Sequence, residues 1–316
     1  RLKKNKSGAT YYNSVAIEGN YDLDTLKEKL CEKAGFSRDC YGNIGTVIYY
    51  FPTIHFATTR FSDDVVTFYR CNVIDFKPDI NEDKVENSLR MAEEWMLINL
   101  NEDDYFNYEY HPSNGKYSTS NNMIRQLMSS RWLAEKSSKD DMLQQMHKSN
   151  LDYILRNWYK EDGDLGYIYF KNKSKIGAIG MALRVLVFSP FFEEYRNEAE
   201  KLANTIMHLQ GEDGSLSAWY IEPGYSYDEE TLLTYYSGEA ILSLAELYKK
   251  TGDEKYLDAA IKSHDHYIHE YVDLMDKNYF PAYVPWHTIS LYNLYMITGL
   301  DKYRDAIFTM NDKLIQ

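Results

Sequence analysis

The sequence predicts a mainly α chain, an α/α toroid of stacked helical hairpins preceded by a small N-terminal β lobe. Three observations carry that prediction. Amphipathic periodicity, with apolar residues at i, i+3 and i+4, runs from Asp83 to the C-terminus. One helical hairpin repeats in the next at a constant offset of 47 residues. Long aromatic loops, each opening on an aspartate, alternate with the helices, and loops of that length are usually functional.

The elements follow in order. Residues 1–80 read as an α+β lobe, with a helix over Leu23 to Ala34. Two runs rich in β-branched and aromatic residues follow, Ile44 to Ala57 and Val65 to Phe76, with Ser62-Asp63-Asp64 as the turn between them. Pro78 marks the boundary, and residues 81–316 form the toroid domain. Its helices are predicted over 83–100, 122–136, 139–158, 176–188, 192–210, 234–250, 254–271, 287–298 and 301–314. In the repeat, Ser243-Leu244, Leu247-Tyr248, Thr251-Gly252, Lys255-Tyr256 and Asp258-Ala259 recur as Ser290-Leu291, Leu294-Tyr295, Thr298-Gly299, Lys302-Tyr303 and Asp305-Ala306. Each copy reads as helix, Thr-Gly C-cap, acidic N-cap, helix. The four aromatic loops open at Asp104, Asp164, Asp213 and Asp276. If they share one end, the helices that follow them surround a common mouth. The competing architecture is a flat solenoid.

Composition narrows the function. The 316 residues carry 35 Lys+Arg against 48 Asp+Glu, a net charge of -13, which argues against a general nucleic-acid binder. The longest apolar run, Ile176 to Pro190, is too short to cross a bilayer, so no integral membrane segment and a soluble protein are expected. The opening RLKKNK reads either as the basic flank of a removed signal or anchor, with an extracytoplasmic location, or as a frayed terminus. Cys31, Cys40 and Cys71 are free thiols, or one disulfide and one thiol. There is no Gly-rich phosphate loop, nucleophile elbow or catalytic-cysteine context, so no cofactor is expected. His264, His266 and His269 are not on one helical face, so they read as a solvated face rather than a metal site.

The alternating hairpins and the D-G-S-x-x-x-W loop, Asp213 to Trp219, resemble the α/α-toroid superfamilies: six-hairpin glycosidases, terpenoid cyclases and the C-terminal domain of D-glucuronyl C5-epimerases. Trp286-His287-Thr288, followed by Leu291, Leu294 and a final helix, is similar to the end of that epimerase domain. The acidic D-x-D-D cluster of terpenoid cyclases is absent. The resemblance implies a carbohydrate-active enzyme on an acidic, uronic-acid-containing glycan, removing and returning a C5 proton.

Three groups are candidates for the chemistry. Asn122 and Arg125, one turn apart after a polar loop, suit a hydroxyl and a carboxylate; the plainer reading is a cap and a surface ion pair. Asp228, Tyr235 and Glu239 form the second group. Glu239 stands in the small, apolar run Ser237-Gly-Glu-Ala-Ile-Leu, where a carboxylate is costly without a partner, and Tyr235 shares its face. The plainer reading of Asp228 is an acidic helix start. His287, after Pro285, is expected in the first helical turn as a neutral base; the alternative is a structural histidine. Lys175, with Arg125, is expected to hold the uronate that the resemblance implies. Tyr108, Trp219, Tyr227 and Trp286 offer flat faces for sugar rings. The expected partner is an oligo- or polysaccharide, with a homodimer left open. Two rival readings stand beside the epimerase: a glycoside hydrolase with two carboxylates drawn from Asp104, Asp228, Glu229 and Glu239, and a non-catalytic hairpin scaffold.

Overall fold

A computed structural model gives the fold and describes residues 1–12, 15–16, 21–58, 65–69, 72–73, 81–111 and 114–315. The chain divides into two units, Arg1–Glu86 and Asn87–Gln316. In the first, strands β1 (Leu2–Lys4), β2 (Ser7–Ala9) and β3 (Thr46–Ile48) form an antiparallel sheet in the order β2-β1-β3. Helix α1 (Leu23–Lys33), capped by the Asp22 carboxylate, joins it around Leu2, Leu30, Cys31 and Cys40. Cys31 and Cys40 are joined as a disulfide, whereas Cys71 lies outside the described residues. Of the two expected β runs, β4 (His55–Thr58) pairs antiparallel with β5 (Val65–Tyr69), and β5 with β6 (Asn72–Val73). The proposed turn at Ser62-Asp63-Asp64 and the Pro78 boundary lie outside the described residues.

Helix α2 (Glu82–Ile98) leads into the second unit. There, four helices pack side by side as an inner layer: α3 (Met123–Ser137), α5 (Ile176–Phe188), α7 (Glu229–Thr251) and α10 (Tyr283–Thr298). Each is backed by the helix after it: α4 (Asp141–Trp158), α6 (Arg196–His208), α8 (Glu254–Ile268) and α11 (Asp301–Ile315). A short helix α9 (Met275–Asn278) precedes α10. The inner helices run parallel. Along α5 and α7, Gly177 meets Glu239, Gly180 meets Ala240 and Arg184 meets Glu246. Along α7 and α10, Gly238 meets Trp286 and Lys249 meets Asn293. The inner N-termini therefore share one end, and the fold is an α/α toroid. Gly180 and Gly238 make the close approach possible, since a Cβ there would meet Ala240 Cα at 3.0 Å and Trp286 Cβ at 2.8 Å.

The 47-residue repeat is a repeat of caps. Helix α7 ends at Gly252 (φ 73°), whose N–H donates to Tyr248 O, and α10 at Gly299 (φ 68°), donating to Tyr295 O. Both conformations are left-handed, where glycine has no Cβ penalty. Thr251 and Thr298 each donate to the carbonyl four residues back, and Tyr256 and Tyr303 fill equivalent buried positions.

Two helix starts differ from expectation. Helix α7 begins at Glu229 rather than near 234, because the Asp228 carboxylate accepts from Thr231 N–H and starts the helix early. Helix α10 begins at Tyr283 rather than 287; Pro285 sits in its first turn, where no amide donor is required. The 254–271 helix leaves α-geometry at His269, and His269–Asp273 is a π-turn.

Candidate active site

The mouth is the end where the inner helices begin. Short antiparallel pairs stiffen its loops: β7 (Tyr110–His111) with β8 (Lys116–Tyr117), β9 (Tyr159–Asp162) with β10 (Leu165–Ile168), and β11 (Ser174–Lys175) with β12 (Trp219–Ile221). The last pair sets Lys175, the N-cap residue of α5, opposite Trp219. Because α7 starts early, its first turns reach past the other helix starts.

Glu239 lies in the third turn of α7, facing α5. It is 5% exposed, and its Oε2 is buried without a hydrogen-bond partner. Burial pushes the carboxyl up to about 8, against the pull of Lys175, Arg184 and Arg125. The room for it comes from Gly177, where a Cβ would overlap both Glu239 Oε2 and the Tyr236 ring. Lys175 Nζ donates to Tyr236 Oη at 2.9 Å and lies 4.9 Å from that ring's centre. Burial holds the Lys175 ammonium below its usual range, and Lys173 adds repulsion. Burial, then the Glu239 charge, pushes the Tyr236 phenol up to about 12.

Three lysines, Lys171, Lys173 and Lys175, line a cavity of about 200 Å³ together with Asn121, Asn122 and Phe170. Lys173 donates to Tyr225 Oη at 2.6 Å. Lys173 and Lys175, each bonded to a phenol, and Lys171 bring three ammonium groups to one hollow, an arrangement that suits an anion. Asn122 also caps α3, its side chain accepting from Arg125 N–H. Arg125 is exposed and lines a separate cavity of about 320 Å³ with Tyr108 and Trp95.

The other sequence candidates are placed differently. Tyr235 is 42% exposed and packs edge-on against Phe280; the phenol at Glu239 is Tyr236, which the i, i+4 argument missed. Asp228 is a cap, bonded to Thr231 N and Oγ1, and those bonds hold it below the usual carboxylate range. His287 is in the second turn of α10, 2% exposed, among the rings of His264, Tyr267, Tyr271 and Tyr283. Ser237 Oγ–H is committed to Leu233 O, so it accepts from His287 Nε2–H at 2.8 Å. Burial drives the imidazole down to about 3, so it is neutral, as expected, and it lies in the packing rather than in the first turn. Trp219 is buried and meets Tyr227 edge-on at 5.4 Å. Trp286 is half-buried and receives the Arg184 guanidinium at 5.6 Å. Arg184 is committed to Glu246 through bonds of 2.6 and 2.9 Å.

The histidine trio is not a solvated face. His264 is fully buried on Ser290, His266 lies 3.6 Å from Asp213, and only His269 is exposed. Among the described residues no group of three His, Cys, Asp or Glu is placed to hold a metal ion. No helix among them is long and apolar enough to cross a membrane. Residues 87–316 contain no cysteine, so no thiol takes part in their chemistry.

Comparison with known proteins agrees with this architecture. A GH76 α-mannanase of Bacteroides thetaiotaomicron is similar over 70% of this chain and 68% of its own, with 12% identity and a TM-score of 0.55. A structural-genomics protein of Listeria innocua is similar over 74% of this chain and 68% of its own, with 17% identity and a TM-score of 0.55. At those identities the likeness is one of fold. Among curated proteins nothing matches the chain. The family described as β-L-arabinofuranosidase, GH127 catalytic domain, matches residues 114–314, which hold all four inner helices. The chain belongs to that family of carbohydrate-active, glycoside-hydrolase-like enzyme domains.

Proposed function

We propose that the protein acts on a uronic-acid-containing glycan by proton transfer at the sugar C5, with Glu239 and Tyr236 as the proton carriers. The observation that carries this is the buried Glu239 carboxyl, one oxygen without a partner, under the pull of Lys175, which lines the lysine cavity. A carboxyl titrating near 8 is a far stronger base than an ordinary carboxylate, yet still ionises near neutral pH. In the step, Glu239 takes the C5 proton, and the C–H electron pair spreads into the sugar carboxylate. Lys173 and Lys175, over the anion cavity, neutralise that charge as it grows. Tyr236, protonated at pH 7, supplies the proton that C5 takes back and is restored by the proton left on Glu239 through solvent. The Lys175 bond to Tyr236 Oη steadies the transient phenolate. The epimerase-like ending Trp286-His287-Thr288 supports the same reading, although His287 itself packs the core.

Membership of the GH127 catalytic-domain family favours a second reading, glycoside hydrolysis. Glu239 then serves as general acid and needs a second carboxylate within about 5–10 Å. The charged groups acting on Glu239 are all cations. Of the other acids considered, Asp228 caps α7 and Glu229 Oε1 accepts from Ala218 N–H at 2.8 Å. Incubation of a uronate oligosaccharide with the protein in deuterium oxide separates the readings. Epimerisation places deuterium at C5 and creates no reducing ends; hydrolysis creates reducing ends and leaves C5 unlabelled.

A further inference from the structure

On the far side of the α7 overhang from the lysines lies a larger cavity, of about 530 Å³, between α7, the end of α8, the π-turn and α9. We propose that it is a second saccharide site, which takes an uncharged sugar unit. The inference rests on the glycan reading but not on the chemistry assigned to Glu239.

Its size falls within the range of about 300–1,000 Å³ typical of small-molecule sites. Tyr279 and Phe280 supply an aromatic wall, backed by Tyr271, whose two faces are covered by Tyr267 and Tyr283. That wall is held in place before any ligand arrives. Tyr271 stacks on Tyr283 with centroids 4.1 Å apart and planes 4° from parallel, and Tyr283 Oη donates to Tyr271 O at 3.0 Å. Tyr279 meets Tyr283 edge-on. A fixed aromatic face suits the C–H face of a pyranose or furanose, because no side-chain freedom is lost on binding.

The π-turn is an independent pointer. His269–Asp273 departs from α-geometry in the middle of this wall and carries Tyr271. Such turns are rare and gather at functional sites, since the widened ring costs backbone stability that packing alone does not require.

Charge selects the occupant. Glu230 and Glu270 line the cavity against a single ammonium, Lys277, and Asp213 adjoins the lining His266 at 3.6 Å. A uronate here meets net repulsion. Neutral sugar hydroxyls instead donate to carboxylates, and charge-assisted bonds of that kind are the stronger ones. Thr231 and Thr234 add hydroxyl partners on the α7 side. The two cavities thus differ in sign across one helix, and Tyr235, packed on Phe280, stands between α7 and the aromatic wall. Glu230 and Glu239 are nine residues apart, roughly 13 Å along the helix axis. A glycan reaching both places a charged unit at the lysines and an uncharged unit at the aromatic wall.

The test is calorimetric titration with neutral tetrasaccharides of mannose, arabinose and glucose, and with tetragalacturonate. At least one neutral tetrasaccharide binds the wild type. Phe280→Ala weakens that binding about tenfold, while Phe280→Tyr, which keeps a ring, restores it. Phe280 is 42% exposed, so the unfolding midpoint stays where it was. Lys173→Gln weakens tetragalacturonate alone, and Glu239→Gln leaves the neutral sugar untouched, so this proposal and the proton-transfer reading fail separately. The proposal is overturned if no neutral tetrasaccharide binds, or if Phe280→Ala binds it as tightly as the wild type.

Discussion

Helix α7 buries two glutamates, seven residues apart, in opposite states. Glu246 receives the Arg184 guanidinium through two bonds of 2.6 and 2.9 Å, and both side chains are hidden between α5 and α7. Glu239, two turns nearer the mouth, has an oxygen with no partner and a carboxyl pushed up to about 8. One helix and one neighbour supply both environments, so the difference lies in what faces each acid. Opposite Glu246 stands an arginine; opposite Glu239 stands Gly177, which gives space rather than charge. A buried acid with a fork-shaped partner is structure. A buried acid left short of one is poised for a proton, at a cost in stability that the fold tolerates near its mouth.

The comparison breaks most visibly at Arg184. Arg184→Met leaves Glu246 buried without its partner and should cost about 3–5 kcal/mol, read by denaturant unfolding. Adding Glu246→Met should recover most of the loss, since an apolar pair of similar size removes the stranded charge. An Arg184→Met protein as stable as the wild type would mean that the pair contributes nothing to the fold.

Glu239→Gln should behave in the opposite way. Turnover should fall by at least about 10²-fold, because an amide of the same shape carries no exchangeable acid proton. Stability should not fall, and its pH dependence should flatten. In the wild type the folded carboxyl titrates near 8 and the unfolded one near 4.5. The native state therefore holds the extra proton between those values, and stability declines as pH rises from about 4.5 to 8, then levels. Unfolding curves at pH 5 and pH 9 check this: the gap between them should shrink in the variant.

A smaller effect is expected at the anion cavity. Lys173→Gln removes one of three converging ammonium groups and should weaken a uronate oligosaccharide about tenfold, on the order of 1.4 kcal/mol, with little change for its carboxyl-reduced counterpart. Equal losses for the two ligands would make Lys173 a support for Tyr225 rather than a reader of charge.

Much of this was legible in the sequence, for reasons that can be named. The toroid followed from periodicity and from a repeat whose residues turn out to be caps and buried tyrosines, which are local or self-similar features. Glu239 stood out because an acid in a run of small apolar residues needs an explanation. Tyr236 did not, because residues three and four away share a helical face almost equally, and only Gly177 on α5 decides between Tyr235 and Tyr236. The Arg184–Glu246 pair spans 62 residues between helices, which no spacing rule reaches. Pro285 misled the reading of His287: proline is equally at home further into a first turn, and four residues of displacement moved the histidine from mouth to core. The span 234–250 fell short of the true start of α7, although the plainer reading of Asp228, an acidic helix start, is the one its cap bears out.

The pH dependence of deuterium incorporation at C5 of a uronate oligosaccharide, in wild type and Glu239→Gln, bears on the central claim most directly. A base that titrates near 8 gives exchange that rises with pH and levels above about 8, and Glu239→Gln should lose that rising limb along with the rate. Exchange that falls through the same range, or an identical profile in the variant, would contradict Glu239 as the group that takes the proton.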